Sequence, residues 1–169
     1  LAVYVVEDPS EVPMLASLGP DPLADYFDSD ALAAILAKAG RSQLKGVLRD
    51  QRVIAGIGNA YSDEILHAAR MSPFTPAASL DEAGRQLLFD SIKRVLADAL
   101  GRSSGLPPNK LKDDKRTALR VHGRTGETCD VCGTTIAEVS FADSSLQYCP
   151  GCQTGGKLLA DRRMSKMMR

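Results

Sequence analysis

Four cysteines limit what this chain can fold into more than any other feature. Cys129, Cys132, Cys149 and Cys152 follow the pattern C-x2-C-x16-C-x2-C. Two residues between cysteines let both sulfurs face one point across a tight turn. Sixteen intervening residues make a hairpin that returns the second pair to the first. Four thiolates then close one tetrahedral zinc site with no open position, so the ion is structural rather than catalytic. Two disulfides are the alternative; they belong to secreted domains, and no secretion signal is visible. So small a segment buries too little surface to fold unaided and depends on its metal.

Upstream of the cysteines the chain reads as helical. "DSDALAAILAKAG" (28–40) is expected as a helix capped by Asp28 or Ser29 and ended by Gly40. "SQLKGVLRD" (42–50) is a second, with Leu44, Val47 and Leu48 on one stripe. "NAYSDEILHAAR" (59–70) is a third, with Asn59 at its start. The longest runs over 79–100, opened by a Ser79–Glu82 capping box, with Leu87, Leu88, Ile92, Val95, Leu96 and Leu100 on one face. "LAVYVV" (1–6) reads as a buried strand, and short strands are expected at Leu119–His122, Ile136–Phe141 and Leu146–Tyr148. The Gly/Pro/Lys-rich stretch 101–116 is the best boundary. The expected division is 1–14, a remnant strand and linker; 15–116, a helical domain; and 117–169, a four-cysteine finger with a basic tail.

The 169 residues carry no net charge, but the charge is unevenly spread. Residues 1–40 hold seven acids against one base, and residues 93–169 hold fourteen Lys/Arg against eight Asp/Glu. So basic a half suggests a polyanionic partner, although a solvated surface has the same composition. No run of about 18 apolar residues occurs, so no membrane span is expected.

"GIGNAYSDEIL" (56–66) sets two glycines and an asparagine before an apolar-periodic run. Glycine lets a backbone approach a ligand with no Cβ in the way. A helix start offers unpaired N–H groups and a positive dipole end to a phosphate. Asn59 adds an amide donor, and Arg41 and Lys45, one turn apart, are able to face the same anion. The plainer reading is that the glycines only turn the chain and Asn59 only caps the helix.

"LGPDPL", "LKGVLRDQRVIAGIGNAYSDEIL", "VHGRTGETCDVCGTTI" and "YCPGCQ" together resemble the C-terminal half of the formamidopyrimidine-DNA glycosylase/endonuclease VIII family. The resemblance spans about Leu15 to Gln153. It implies a mainly α fold: a helix–two-turn–helix domain, then a small β-hairpin zinc finger, with "LAVYVV" similar to the last strand of an absent β-rich catalytic domain. It implies that Asn59 and Gly58 bind a backbone phosphate near the lesion in damaged double-stranded DNA, and that Lys45 and Arg41 lie at basic DNA-contacting positions. One structural zinc ion is expected from the cysteine spacing, a monomer is the default for an oligomeric state the sequence leaves unread, and a bacterial cytoplasmic, nucleoid-associated setting is expected.

Two departures stand out. Family members attack the sugar C1′ with the secondary amine of an N-terminal proline. Pro9 and Pro13 are internal, their nitrogens are amides, and no catalytic residue is assigned. The chain is thus expected to be inactive alone, whether it is part of a glycosylase/lyase or a natural non-catalytic DNA-binding relative. A zinc-ribbon interaction module without DNA is the remaining alternative. The second departure is Ser144, five residues before the third cysteine, where the family carries a phosphate-binding arginine at the hairpin tip. Serine makes no bidentate charge-assisted contact, and Arg162 and Arg163 in the tail are the substitutes the sequence offers. His67 is expected in the core or at an interface, His122 near phosphate, and Glu64 as a local cap or ion pair.

Overall fold

The computed structural model describes residues 3–107, 109–110, 117–141 and 144–160. Most of the 101–116 link's second half, and Arg162 and Arg163, lie outside the described residues. The elements are α1 (Pro13–Ala16), α2 (Ser29–Ala39), α3 (Leu44–Arg49), α4 (Asn59–Ala68), α5 (Glu82–Ser103), β1 (Ala137–Ser140), β2 (Ser145–Tyr148) and α6 (Pro150–Gln153). The architecture is mainly helical with a two-stranded hairpin near the C-terminus, as expected.

Helix α2 starts where Asp28 accepts the Ala31 amide at 2.8 Å, and it stops at Gly40, whose φ of 59° admits the left-handed turn. It buries Leu32 and Leu36. Helix α3 is shorter than the expected 42–50. Its first amides are already satisfied: Leu44 N–H donates to Thr75 O at 2.9 Å and Lys45 N–H to Pro73 O at 3.1 Å. The Leu44–Val47–Leu48 stripe enters the core as its spacing predicts. Helix α5 begins at Glu82, not Ser79. Asp81 is its cap and accepts the Gly84 amide at 2.8 Å, while Ala77–Ser79 form a separate 3-10 turn. Its buried stripe is Leu88, Ile92 and Ala99; Leu87 and Leu100 fall beside the stripe and are exposed. Ile54, Ile57, Ile65 and Leu66 complete the helical core together with Phe27.

Strands β1 and β2 pair antiparallel, from Ala137↔Tyr148 to Ser140↔Ser145. Val139, Leu146 and Tyr148 pack against Phe74 of the helical part, joining finger and helices. Two expected strands do not form among the described residues. Residues 3–6 are exposed and unpaired, since a strand needs a neighbour's ladder and no described segment runs beside them. The 119–122 segment is no strand because its amides are taken by a side chain of α4, as the site geometry makes plain.

Candidate nucleic-acid interface and metal centre

Helix α4 connects the two candidate sites. Its N-terminus opens on a cleft of about 260 Å³, lined by Lys45, Gly46 and Arg49 of α3, Asn59 of α4, and Phe141, Ser144 and Ser145 of the hairpin. Gly56, at φ +80°, makes the turn before it. Gly58 differs: it is the N-cap with φ −94° and ψ −170°, a conformation open to any residue. A Cβ built on it meets no atom within 4 Å, so nothing inside the protein requires glycine there. The Asn59 and Ala60 amides find no acceptor among the described residues, and no side chain caps the helix.

Asn59 Nδ2 donates to the Ser145 carbonyl at 2.8 Å and ties the helix start to the hairpin. Its Oδ1 is buried with no partner, and its second N–H remains free to donate. Lys45 is turned inward. Its Nζ donates to Asn59 O (2.7 Å), Ser62 Oγ (2.8 Å) and Asp63 Oδ1 (2.7 Å), which uses all three of its protons. Burial holds its pKa below the usual lysine value, while Asp63 pulls it back up. Arg41 is exposed and lies ahead of α3 rather than on it, so the one-turn pairing with Lys45 expected from sequence does not form.

Several residues here escaped the sequence reading. Arg49 is exposed on α3, and its Nη1 donates to Ser144 Oγ at 3.2 Å. A guanidinium thus reaches the hairpin tip from the other side of the cleft. Asp63, fully buried, holds Lys45 and His122 Nδ1 (2.8 Å) at once and accepts the Gln147 amide at 3.3 Å. Glu64 accepts the amides of Arg120, Val121 and His122, all at 2.9 Å. Its role is therefore to cap a distant segment instead of its own helix. His122 is half-buried against Asp63. The adjacent acids in "SDEIL" were the available signal, because acids inside an apolar run need partners.

At the far end of α4 lie the four cysteines, none of them in a disulfide. Cys129 Sγ is 3.9 Å from Cys152 Sγ, and Cys132 Sγ is 3.3 Å from Cys149 Sγ. A bonded pair stands at about 2.05 Å. A tetrahedron with zinc–sulfur bonds of about 2.3 Å has edges of about 3.8 Å, which these separations bracket. These separations suit ligands of one structural zinc ion, and Cys129, Cys149, Cys152 and the His67 imidazole form a cluster whose ligand atoms lie within 4.8 Å of one another. Bound zinc would supply a fixed point for the two knuckles of the finger. The Cys149 thiol accepts the Cys152 amide at 3.4 Å, folding the second knuckle around the site. Gly151 sits where a Cβ would come within 2.9 Å of Cys132 Sγ, so only glycine lets the knuckles meet. His67 is buried beside them, as an interface residue, with Nε2 3.5 Å from Cys129 Sγ.

Known proteins agree with this geometry. Residues 18–107 match the formamidopyrimidine-DNA glycosylase H2TH domain, and residues 126–155 match the zinc finger found in FPG and IleRS. An uncharacterized formamidopyrimidine-DNA glycosylase-like protein of Mycobacterium tuberculosis is 54% identical over 157 residues, covering 93% of this chain and 98% of that one. The formamidopyrimidine-DNA glycosylase of Thermus thermophilus is 38% identical over 156 residues, covering 88% of this chain but 58% of the enzyme. The crystal structure of Thermus thermophilus MutM (Fpg) superposes with a TM-score of 0.76 at 35% identity, over 90% of this chain and 59% of that one. Lactococcus lactis Fpg in complex with abasic-site DNA gives 0.73 at 32%, over 86% and 55%. This chain belongs to the formamidopyrimidine-DNA glycosylase family, of whose longer members it spans little more than half.

Proposed function

We propose that this chain grips the backbone of damaged duplex DNA, with one phosphate seated at the start of α4. The open space before Gly58 carries the reading. Neither backbone strain nor internal packing demands a glycine there, so the missing side chain leaves room for something from outside. The unpaired Asn59 and Ala60 amides suit an oxyanion, and the spare Asn59 N–H adds a donor. Arg49 supplies the charge at the rim of the cleft and does the work that Ser144 cannot. Arg41 contacts backbone further out. Lys45 holds Asn59 in place from beneath, its charge paired with Asp63. The Lactococcus relative crystallised on abasic-site DNA supports the same partner class. The setting proposed is bacterial cytoplasm; no described helix is long and apolar enough to cross a membrane.

In this reading the chain itself does not cleave the base. Pro9 opens a 3-10 turn and Pro13 opens α1. Both nitrogens are amides without a nucleophilic lone pair. Fluorescence anisotropy on a duplex with a stable abasic analogue tests the binding. Wild type binds, and Asn59→Ala weakens it about tenfold, as expected for one hydrogen bond to a charged group. An equal affinity of a folded Asn59→Ala protein for the duplex refutes the seat. Borohydride trapping on abasic DNA is expected to give no adduct from these 169 residues; a covalent adduct overturns the non-catalytic reading.

A further inference from the structure

We propose that His67 is a reserve zinc ligand, able to complete a Cys3His site with Cys129, Cys149 and Cys152 when Cys132 is lost. The three cysteine sulfurs and the imidazole nitrogen all lie within 4.8 Å of one another. His67 Nε2 is 3.5 Å from Cys129 Sγ. For zinc bonds of about 2.05 Å to nitrogen and about 2.3 Å to sulfur, the tetrahedral nitrogen–sulfur edge is about 3.6 Å. The imidazole therefore already stands at a ligand's spacing from Cys129, with the Cys149 and Cys152 sulfurs within 4.8 Å.

The four thiols are not equivalent. Cys129 and Cys149 are buried and Cys152 is half-buried, but Cys132 is exposed. Solvent and reagents reach that corner first. His67 stands behind the cluster, on α4, with 5% of its surface exposed. An imidazole takes the place of a thiolate in many structural zinc sites, so the substitution is chemically ordinary. The consequence is local to α4: with His67 bound, the metal would be tied to the helix that starts at Asn59, eight residues and about 12 Å away. The inference rests on the metal centre alone and not on the DNA-binding proposal.

The test is zinc X-ray absorption and chelator competition on the full chain carrying Cys132→Ser. The expected result is one equivalent of zinc retained, with affinity within about a hundredfold of wild type. Its spectrum gains the outer-shell scattering of one imidazole, which the wild-type four-sulfur site lacks. Cys132→Ser/His67→Phe loses that signature and binds zinc at least about tenfold more weakly than Cys132→Ser. The spectrum of the single variant decides the matter even if the double variant does not fold. Three sulfurs with a light ligand and no imidazole scattering overturn the proposal, as does failure of Cys132→Ser to hold zinc.

Discussion

Lys45 and Arg49 sit four residues apart on α3 and meet opposite surroundings. Lys45 Nζ is enclosed by Asn59, Ser62 and Asp63, whereas Arg49 reaches across the open cleft to Ser144. The two charges should therefore fail differently. Lys45→Ala takes the ammonium from buried Asp63 and leaves Oδ2 on His122 and the Gln147 amide, and urea unfolding should show a loss of about 3 kcal/mol, near the cost of breaking a buried pair. Arg49→Ala should leave the urea midpoint in place and reduce the salt slope of DNA binding by about 0.9, one phosphate contact. An unchanged slope would remove Arg49 from the interface. The sequence made Gly58 and Asn59 visible because a bare helix start is a local pattern. Lys45's burial was not visible, since it depends on Asp63 arriving from another helix. Arg49 was missed because Ser144 lies 95 residues away.

At the scale of elements, α4 is a strut between helices and finger. Asp63 and Glu64 send their carboxylates out of the helical domain to hold the amides of residues 120–122 and 147. Glu64→Ala leaves three amides without acceptors. It should cost about 2–3 kcal/mol and speed hydrogen exchange at Arg120, Val121 and His122; unchanged exchange there would mean the carboxylate is dispensable. Helix boundaries were readable where a single side chain sets them, as at Asp28 and Gly40. They were misread where two candidate caps compete: Ser79 offered the more familiar motif, but Asp81 lies directly before the first helical turn. The expected 1–6 and 119–122 strands failed for one reason. Strand propensity describes a residue's preference, while a ladder needs a partner, and the 119–122 amides had found Glu64 instead.

For the whole molecule, the metal and the cleft are coupled through the hairpin, whose Ser144 and Ser145 form one wall of the cleft. Removing zinc should unfold the finger, spare most of the helical circular dichroism, and weaken DNA binding. Binding that survives complete zinc removal would exclude the finger from the grip. The two-part organisation was legible because cysteine spacing and helical periodicity are both short-range. How the parts join was not, because that join is made by Phe74 packing on the hairpin, by Asn59 and by buried carboxylates, whose partners are all distant in the chain.

Gly58→Asp probes the phosphate seat with fewest side effects. Aspartate is a strong N-cap and suits the positive helix end, so the urea midpoint should hold or rise. The same carboxylate would occupy the place assigned to a DNA oxyanion. Affinity for the abasic duplex should then fall at least about tenfold, by lost contact and like-charge repulsion. A stable Gly58→Asp protein that binds the duplex as tightly as wild type would contradict the account.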